Sequence, residues 1–307
     1  MTSKRFTLIT LALTIALSTG FVLFNIFMDE FGIHSNTKPG DIKIWTYNRA
    51  SKYLMSLNYI PSNFKAILIG SSSSAAMVDT KGISSVPTYN LSLNGANICE
   101  MAPAAIETLE RGNMRYLFIC LDPYLTKNSH MKTNELSPEL LSSSYGSLFN
   151  IKFYLYKSLY TLFPEKNPYR NSGWGYRLAG ENEKPITQAQ ADAYAAKIAK
   201  GSQPFAIDPQ AVRCLKEIIM TARTEGTRIV AYFHPKPEVI FQAARSQYLE
   251  YQKEMKALLS PEDILVDLND PAYDELTGDI SNFHDTTHLS ASGGRSIVKI
   301  LNQIVSQ

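Results

Sequence analysis

Short apolar runs alternate with longer amphipathic stretches along most of the chain. The first of them, residues 64–70, is a continuous apolar run that ends in Gly, as a buried parallel strand does, and the other candidate strands cover residues 87–95, 114–122, 228–235 and 263–270. The longer stretches have the apolar spacing of helices and cover residues 97–112, 208–224, 238–259 and 291 onwards. Strands that alternate with helices predict a three-layer α/β/α fold, in which helices cover both faces of a parallel sheet.

The N-terminal segment has a different pattern. From Phe6 to Met28 no residue is charged, and about 20 apolar residues are enough for a helix to cross a bilayer. Lys4 and Arg5 precede this run, so the positive-inside rule keeps residues 1–5 in the cytoplasm and places the rest across the membrane. A signal peptide cleaved after "ALS" is the alternative, but the apolar run continues past that point, which favours an uncleaved anchor.

Two segments interrupt the alternation of strands and helices. Residues 29–63 form a polar connection that continues into a stretch with helix-like spacing. Residues 123–207 are rich in Ser, Asn, Tyr and Pro and contain one aromatic helical piece at 148–163. Structureless stretches of this length are uncommon in a compact domain unless they are functional. We therefore expect residues 64–307 to form one α/β domain whose core is covered by the insertion 123–207.

Composition narrows the function classes. The 307 residues are 45% hydrophobic and 19% charged with a formal net charge of +2, so the composition is globular and does not indicate nucleic-acid binding. The three cysteines are Cys99, Cys120 and Cys214. Their number and spacing predict neither a disulfide framework nor a zinc site. Cys120 lies in the apolar run "RYLFICL" and is expected to be a buried, inert thiol.

Four serines follow the first predicted strand, in "AILIGSSSSAAMVDT" at residues 66–80. Reactive groups of a doubly wound sheet collect in loops at the carboxyl ends of the strands, where Ser72 falls. A flexible linker would not follow a buried strand and continue directly into "AAMVDT", so we expect a tight turn. Ser72 is then either an exposed nucleophile or the N-cap of a helix that begins near Ala75.

A serine nucleophile needs a base and an orienting carboxylate. The stretch "NFHDTTHLSASGG" supplies Asp285 and His288 just before the last predicted helix. A spacing of three residues in a tight loop lets the carboxylate reach the imidazole and hold it toward a serine on a neighbouring strand. The alternatives are a surface loop, or a divalent-metal site that includes His284 but lacks a further ligand pair. His234 is expected to pack at a strand end.

These motifs resemble those of the SGNH (GDSL-like) hydrolase superfamily. "IGSS" follows the first strand, "NLSLNGAN" follows the second, and "DTTHLSASGG" precedes the last helix. The resemblance implies a flavodoxin-like sheet with Ser72 as nucleophile, Gly95 as an oxyanion donor, and Asp285 and His288 as the other members of a triad. It covers residues 64–122 and 228–305 and leaves the insertion unmatched.

The third motif of the superfamily departs from its usual form. An Asn that completes the oxyanion hole normally follows the third strand, but this chain has Asp122 in "CLDPY". A carboxylate donates no hydrogen bond unless it is protonated, and the loss of one oxyanion donor costs about 3 to 4 kcal/mol. Asn94 and Asn97, which flank Gly95, are the candidates to replace the missing donor.

Within the superfamily, the N-terminal anchor and "GSS" are similar to membrane-anchored bacterial proteins that handle acyl groups on envelope polymers. Examples are the alginate-type O-acetylation proteins and the anchored protein of teichoic-acid D-alanylation. The resemblance implies a cofactor-independent serine esterase or O-acyltransferase on the periplasmic or extracellular side of the inner membrane, which acts on acyl esters of a glycan and could work with a membrane-bound acyltransferase. The alternative is a non-catalytic component that binds or assembles such a machinery, and Asp122 favours it.

Overall fold

The computed structural model describes residues 3–42, 49–127, 136, 139–147, 149–167, 172–176, 184–201 and 205–306. Its single five-stranded sheet is parallel, with strand order β2-β1-β3-β4-β5. The strands are β1 (Ala66–Ile69), β2 (Thr88–Asn90), β3 (Tyr116–Leu121), β4 (Arg228–Phe233) and β5 (Ile264–Asp267). Each of the five predicted runs contains one strand, so the predicted α/β class with a parallel sheet is confirmed.

Thirteen α-helices occur in the described part of the chain. They are α1 (Ser3–Met28), α2 (Arg49–Ser56), α3 (Tyr59–Asn63), α4 (Ser72–Ala75), α5 (Ile98–Arg111), α6 (Glu139–Tyr145), α7 (Phe149–Leu162), α8 (Gln188–Gly201), α9 (Pro209–Thr224), α10 (Glu238–Ala243), α11 (Arg245–Lys256), α12 (Asp274–Thr277) and α13 (Ala291–Val305). The predicted helix at 238–259 is in fact two helices that meet at Ala244. The insertion contains α6 and α8 besides the predicted α7, and the rest of it lies partly outside the described residues.

Two hydrophobic clusters form the core. Successive residues of a strand belong to different clusters, as Leu117 and Phe118 do on β3, because successive side chains point to opposite faces of a sheet. One cluster includes residues of α2, α5 and α9, and the other includes residues of α8, α10 and α13. Burial of the strand residues on both faces explains why β1 and β3 are continuous apolar runs.

Helix α1 is long and apolar enough to cross a membrane. It begins at Ser3, a few residues before the predicted start, and its side chains are exposed over most of its length. Within the described residues, its hydrogen bonds and ring contacts with the rest of the protein lie in its last turns. There the Asn25 amide donates to the Tyr145 carbonyl and its oxygen accepts from the Tyr154 hydroxyl.

A disulfide joins Cys99 on α5 to Cys214 on α9, two helices that lie side by side. The prediction of no disulfide from the cysteine pattern is therefore wrong for this pair. The two residues are 115 positions apart, and only the packing of the two helices brings their Cα atoms to 5.2 Å. Cys120 remains a free, buried thiol, as predicted, and burial raises its pKa to about 12.

Candidate active site

The carboxyl ends of the three central strands bring the sequence motifs together. Parallel pairing aligns Ile69 of β1 with Ile119 of β3, and Leu121 of β3 with Phe233 of β4. The residues that follow these strands therefore meet at one edge of the sheet. They are the serine turn after β1, Asp122 after β3 and His234 after β4.

The serine turn is a tight strand-to-helix connection. Gly70 is required there because a Cβ atom would collide with Ser74 and lie 2.7 Å from the Cβ of Cys120. Ser71 is the N-cap of α4, and its side chain accepts from the Ser73 N–H. Ser72 is the first residue of α4. Ser71 therefore occupies the capping position that the sequence left open for Ser72, and the helix begins before Ala75.

Ser72, His288 and Asp285 form a continuous chain of hydrogen bonds. The Ser72 Oγ lies 2.8 Å from the His288 Nε2, and the His288 Nδ1 lies 2.8 Å from the Asp285 Oδ2. An ionised carboxylate only accepts, so Nδ1 carries the imidazole proton and Nε2 accepts from the serine hydroxyl. The side chains of His288 and Asp285 are partly exposed, so the site is open to solvent.

The loop that carries Asp285 and His288 is held in shape by hydrogen bonds from its own backbone N–H groups. The Asp285 Oδ1 accepts from the N–H groups of Thr287 and His288, both at 2.7 Å. The His284 N–H donates to the His288 carbonyl at 2.9 Å. Burial by itself raises the pKa of Asp285, but the hydrogen bonds from the His288 ring and the two backbone N–H groups outweigh it and hold the pKa below its ordinary value. Asp285 is therefore ionised at neutral pH.

Asp122 is a buried acceptor that holds the serine turn. Its Oδ2 accepts from the hydroxyls of Ser73 and Ser71, and its Oδ1 accepts from the Tyr124 N–H at 2.7 Å. Burial by itself raises the pKa of Asp122, but the Lys236 charge and the hydrogen bonds lower it below its ordinary value. Asp122 is a carboxylate here, so it supplies no donor for an oxyanion and instead supports the turn that carries Ser72.

His234 supports the loop that carries Asp285 and His288. The ring is buried, and its Nε2 lies 3.0 Å from the Thr287 carbonyl, between the positions of Asp285 and His288. A carbonyl only accepts, so this nitrogen carries a proton. Burial lowers the pKa of His234 to about 3, and the Lys236 charge acts in the same direction. His234 is therefore neutral at physiological pH, and the predicted strand-end residue also positions the loop of the base.

Gly95 lies on an exposed turn beside the serine turn. Its φ of +62° is in the left-handed region that favours glycine. The Leu93 N–H donates to the Gly70 carbonyl at 3.1 Å, which keeps this turn next to Ser72. Asn94 is exposed on the same turn. Within the described residues, the N–H groups of Ser72 and Gly95 donate to no acceptor of the protein, so both are available to a substrate.

Asn97 is not available as an oxyanion donor. It is buried as the N-cap of α5, where its oxygen accepts from the Cys99 N–H and its amide donates to the Lys127 carbonyl. Its backbone N–H donates to Glu100 in the same cap. The assignment of Asn97 to the oxyanion hole is therefore corrected, because the side-chain amide and the backbone N–H of Asn97 already donate to other groups of the protein.

Lys52 is a buried lysine whose role the sequence did not indicate. Its Nζ donates to the carbonyls of Asn90, Ser92 and Gly175 at 2.7 to 2.8 Å. Burial lowers its pKa well below the ordinary value. Lys52 thereby holds the chain between β2 and the Gly95 turn. A lysine inside an otherwise amphipathic stretch carries no local signal for this role.

A cavity of about 400 Å³ opens beside Asp122 and Thr287. Tyr124, Lys127 and Lys236 also line it. Among the described residues, no group of three or more His, Cys, Asp and Glu side chains is placed to hold a metal ion. The Asp285 carboxylate is hydrogen-bonded to the His288 ring.

No protein-family model matches this chain, and no curated protein is significantly similar to it. A functional assignment therefore depends on the motifs and on the geometry of the site.

Proposed function

We propose that this protein is a membrane-anchored serine esterase or O-acyltransferase of the SGNH type. It acts on acyl esters, in the first place acetyl esters, of a cell-envelope or exopolysaccharide glycan on the periplasmic or extracellular side. The observation that supports this most directly is the hydrogen-bond chain from the Ser72 Oγ through the His288 ring to the Asp285 carboxylate. Three residues separated by up to 216 positions meet there with the roles of a serine triad.

The reaction begins when the Ser72 oxygen attacks the ester carbonyl carbon. The His288 Nε2 takes the serine proton, and Asp285 stabilises the imidazolium. The N–H groups of Ser72 and Gly95 stabilise the oxyanion of the tetrahedral intermediate. The intermediate collapses as the C–O bond to the leaving alcohol breaks, and His288 returns the proton to that oxygen. Water or a sugar hydroxyl then attacks the acyl-serine with His288 as base, which releases an acid or a new ester and restores Ser72.

The SGNH type is supported by where the motifs lie. The serine turn follows β1, the Gly95 turn follows β2, and the Asp285–His288 loop precedes the last helix. The separate hydrophobic clusters on opposite sides of the sheet fit the three-layer arrangement that this type of hydrolase has.

The extracytoplasmic location is supported by two independent features. Helix α1 follows Lys4 and Arg5, which favours an N-terminus in the cytoplasm. The Cys99–Cys214 disulfide fits an oxidising compartment, because such bonds are rare in the reducing cytoplasm.

A non-catalytic binding or assembly component is the second candidate. Asp122 favours it, since this position carries the third oxyanion donor in the superfamily. The hydrogen bonds from Ser71 and Ser73 give Asp122 a different role, and two backbone donors remain for the oxyanion. We therefore favour the enzyme.

The test is labelling by a fluorophosphonate probe, which reacts with an activated serine. We expect the wild-type protein to be labelled and Ser72→Ala to lose labelling completely. Ser85→Ala is the matched control. Ser85 follows α4 in the chain, its side chain is exposed and bonds to Asn302, and it has no part in the proposed site. Equal labelling of wild type and Ser72→Ala would refute the nucleophile, and no labelling of folded wild type would favour the binding component.

A further inference from the structure

Helix α7 carries an apolar stripe that faces away from the protein. Ile151, Leu155, Leu159 and Leu162 are three or four residues apart and therefore share one face of the helix. Their side chains are 42%, 67%, 44% and 73% exposed. Soluble proteins rarely leave a contiguous apolar patch of this kind uncovered unless it binds something. We call these four residues the α7 stripe.

Another face of α7 packs against the end of α1. The Tyr154 ring lies edge-on to Phe24 with centroids 5.3 Å apart, and its hydroxyl donates to the Asn25 side chain. Lys157 forms an ion pair with the buried Glu30 at 3.1 Å. These contacts hold α7 beside the point where α1 ends. The α7 stripe therefore lies next to a helix that is itself apolar and exposed.

The borders of the α7 stripe have the chemistry of a membrane interface. The rings of Tyr156 and Tyr160 stack with centroids 5.9 Å apart, and the Lys152 ammonium lies 5.7 Å from the centre of the Tyr156 ring. Tyrosine is enriched at the level of lipid headgroups, and lysine on the polar face of an interfacial helix attracts anionic lipids. The aliphatic stripe and these flanking residues together match a helix that lies in the plane of the membrane surface.

We propose that the α7 stripe is buried in the outer-side interface of the same membrane that α1 crosses. The lipid occupant is favoured over a second copy or a protein partner because the Tyr154 contacts place α7 beside the end of α1, where Phe27 is 84% exposed. The domain is then held to the bilayer at two places, which restrains its rotation about the end of α1. The inference rests on the membrane anchor of the proposed function, but not on its chemistry.

The test places a single fluorescent label on the full-length protein in phosphatidylcholine–phosphatidylglycerol vesicles. Leu155→Cys is labelled with NBD, since the native cysteines are disulfide-bonded or buried. We expect doxyl-labelled phosphatidylcholine to quench its emission as strongly as that of NBD at Phe27→Cys, with a similar blue shift. Met220→Cys is the matched control, because Met220 is an apolar helical residue with 64% exposure on α9, and we expect no quenching there.

The outcomes separate the two ideas. Quenching at position 27 without quenching at position 155 overturns the inference and leaves the anchor standing. Absence of quenching at both positions removes the anchor as well. A blue-shifted label at 155 that lipid does not quench means that protein covers the stripe, which also overturns the inference. Leu159→Cys repeats the measurement if the first variant does not fold, and circular dichroism reports the folding of each variant independently of the proposed chemistry.

Discussion

The two halves of the proposed site are built from different kinds of groups, side chains in one and backbone N–H groups in the other. In the triad half, side chains hold side chains, as Asp285 holds His288 and His288 contacts Ser72. In the oxyanion half, the proposed donors are backbone N–H groups, and the Gly95 turn is placed by backbone contacts such as that of Leu93 with Gly70. The first half should therefore be sensitive to the identity of its residues, and the second to the conformation of its chain.

The comparison also explains Asp122. In the SGNH hydrolases that the motifs resemble, the corresponding position contributes a side-chain donor to the oxyanion hole. Here its carboxylate accepts from Ser71 and Ser73 and so belongs to the support of the nucleophile. The oxyanion half is left with backbone donors alone, and a lower rate than that of a site with three donors is expected.

The largest effect is expected in the triad half. Asp285→Asn keeps an oxygen for the Thr287 and His288 N–H groups, but its amide can donate to the imidazole and favours the wrong tautomer. We expect kcat for nitrophenyl acetate to fall roughly 10⁴-fold, as for amide replacement in serine triads. Asp270→Asn is the control, because the Asp270 Oδ1 accepts from the backbone N–H two residues later, as the Asp285 Oδ1 does. A loss below about ten-fold would contradict the role of the carboxylate.

The same substitution should change the pH dependence of stability. The pKa of Asp285 is lowered in the folded protein, so its contribution to stability is present above the unfolded value of about 4. The contribution is lost as pH falls through the folded-state pKa. We therefore expect the difference in melting temperature between wild type and Asp285→Asn to be larger at about pH 6 than at about pH 3. Thermal unfolding followed by circular dichroism measures it, and equal differences would show that the carboxylate is not stabilised.

An intermediate effect is expected from Asp122→Asn, which introduces the residue type that SGNH hydrolases have at the corresponding position. An amide nitrogen in place of the Oδ2 cannot accept from Ser71 and Ser73, and an unsatisfied buried hydroxyl costs about 1 to 3 kcal/mol. We expect the rate of fluorophosphonate labelling to fall roughly ten-fold or more. Faster labelling would instead show that the residue at position 122 reaches the oxyanion. The oxyanion half would then include a side-chain donor, which contradicts the comparison.

The smallest effect is expected from Gly95→Ala, which tests the backbone half. An alanine keeps the N–H but disfavours the left-handed conformation by about 1 to 2 kcal/mol. We expect kcat/KM for nitrophenyl acetate to fall up to about ten-fold. Gly226→Ala is the matched control, because Gly226 has a φ of +69° and open space around a new Cβ, as Gly95 has, but lies at the turn before β4. Equal losses in both variants would mean that strain alone acts and that Gly95 has no special place.

Much of the fold could be predicted because its signals are local. Every predicted apolar run contains a strand, and the aromatic piece at 148–163 is helical as α7. The errors concern features without a local signal. The break at Ala244 has neither glycine nor proline beside it, and the Cys99–Cys214 pair depends on the packing of α5 on α9.

The sequence by itself determined the candidate groups of the triad, because a strand followed by serines and an Asp-x-x-His loop are short patterns whose chemistry depends on residue type. The tertiary structure alone decided that Ser71, rather than Ser72, caps α4, that Asn97 caps a helix, and that His234, Asp122 and Lys52 support the surrounding turns. A buried polar group is satisfied by whichever partner the packed chain brings near, and those partners lie far away in sequence. These residues acquire their roles only when folding brings the carboxyl ends of the strands together.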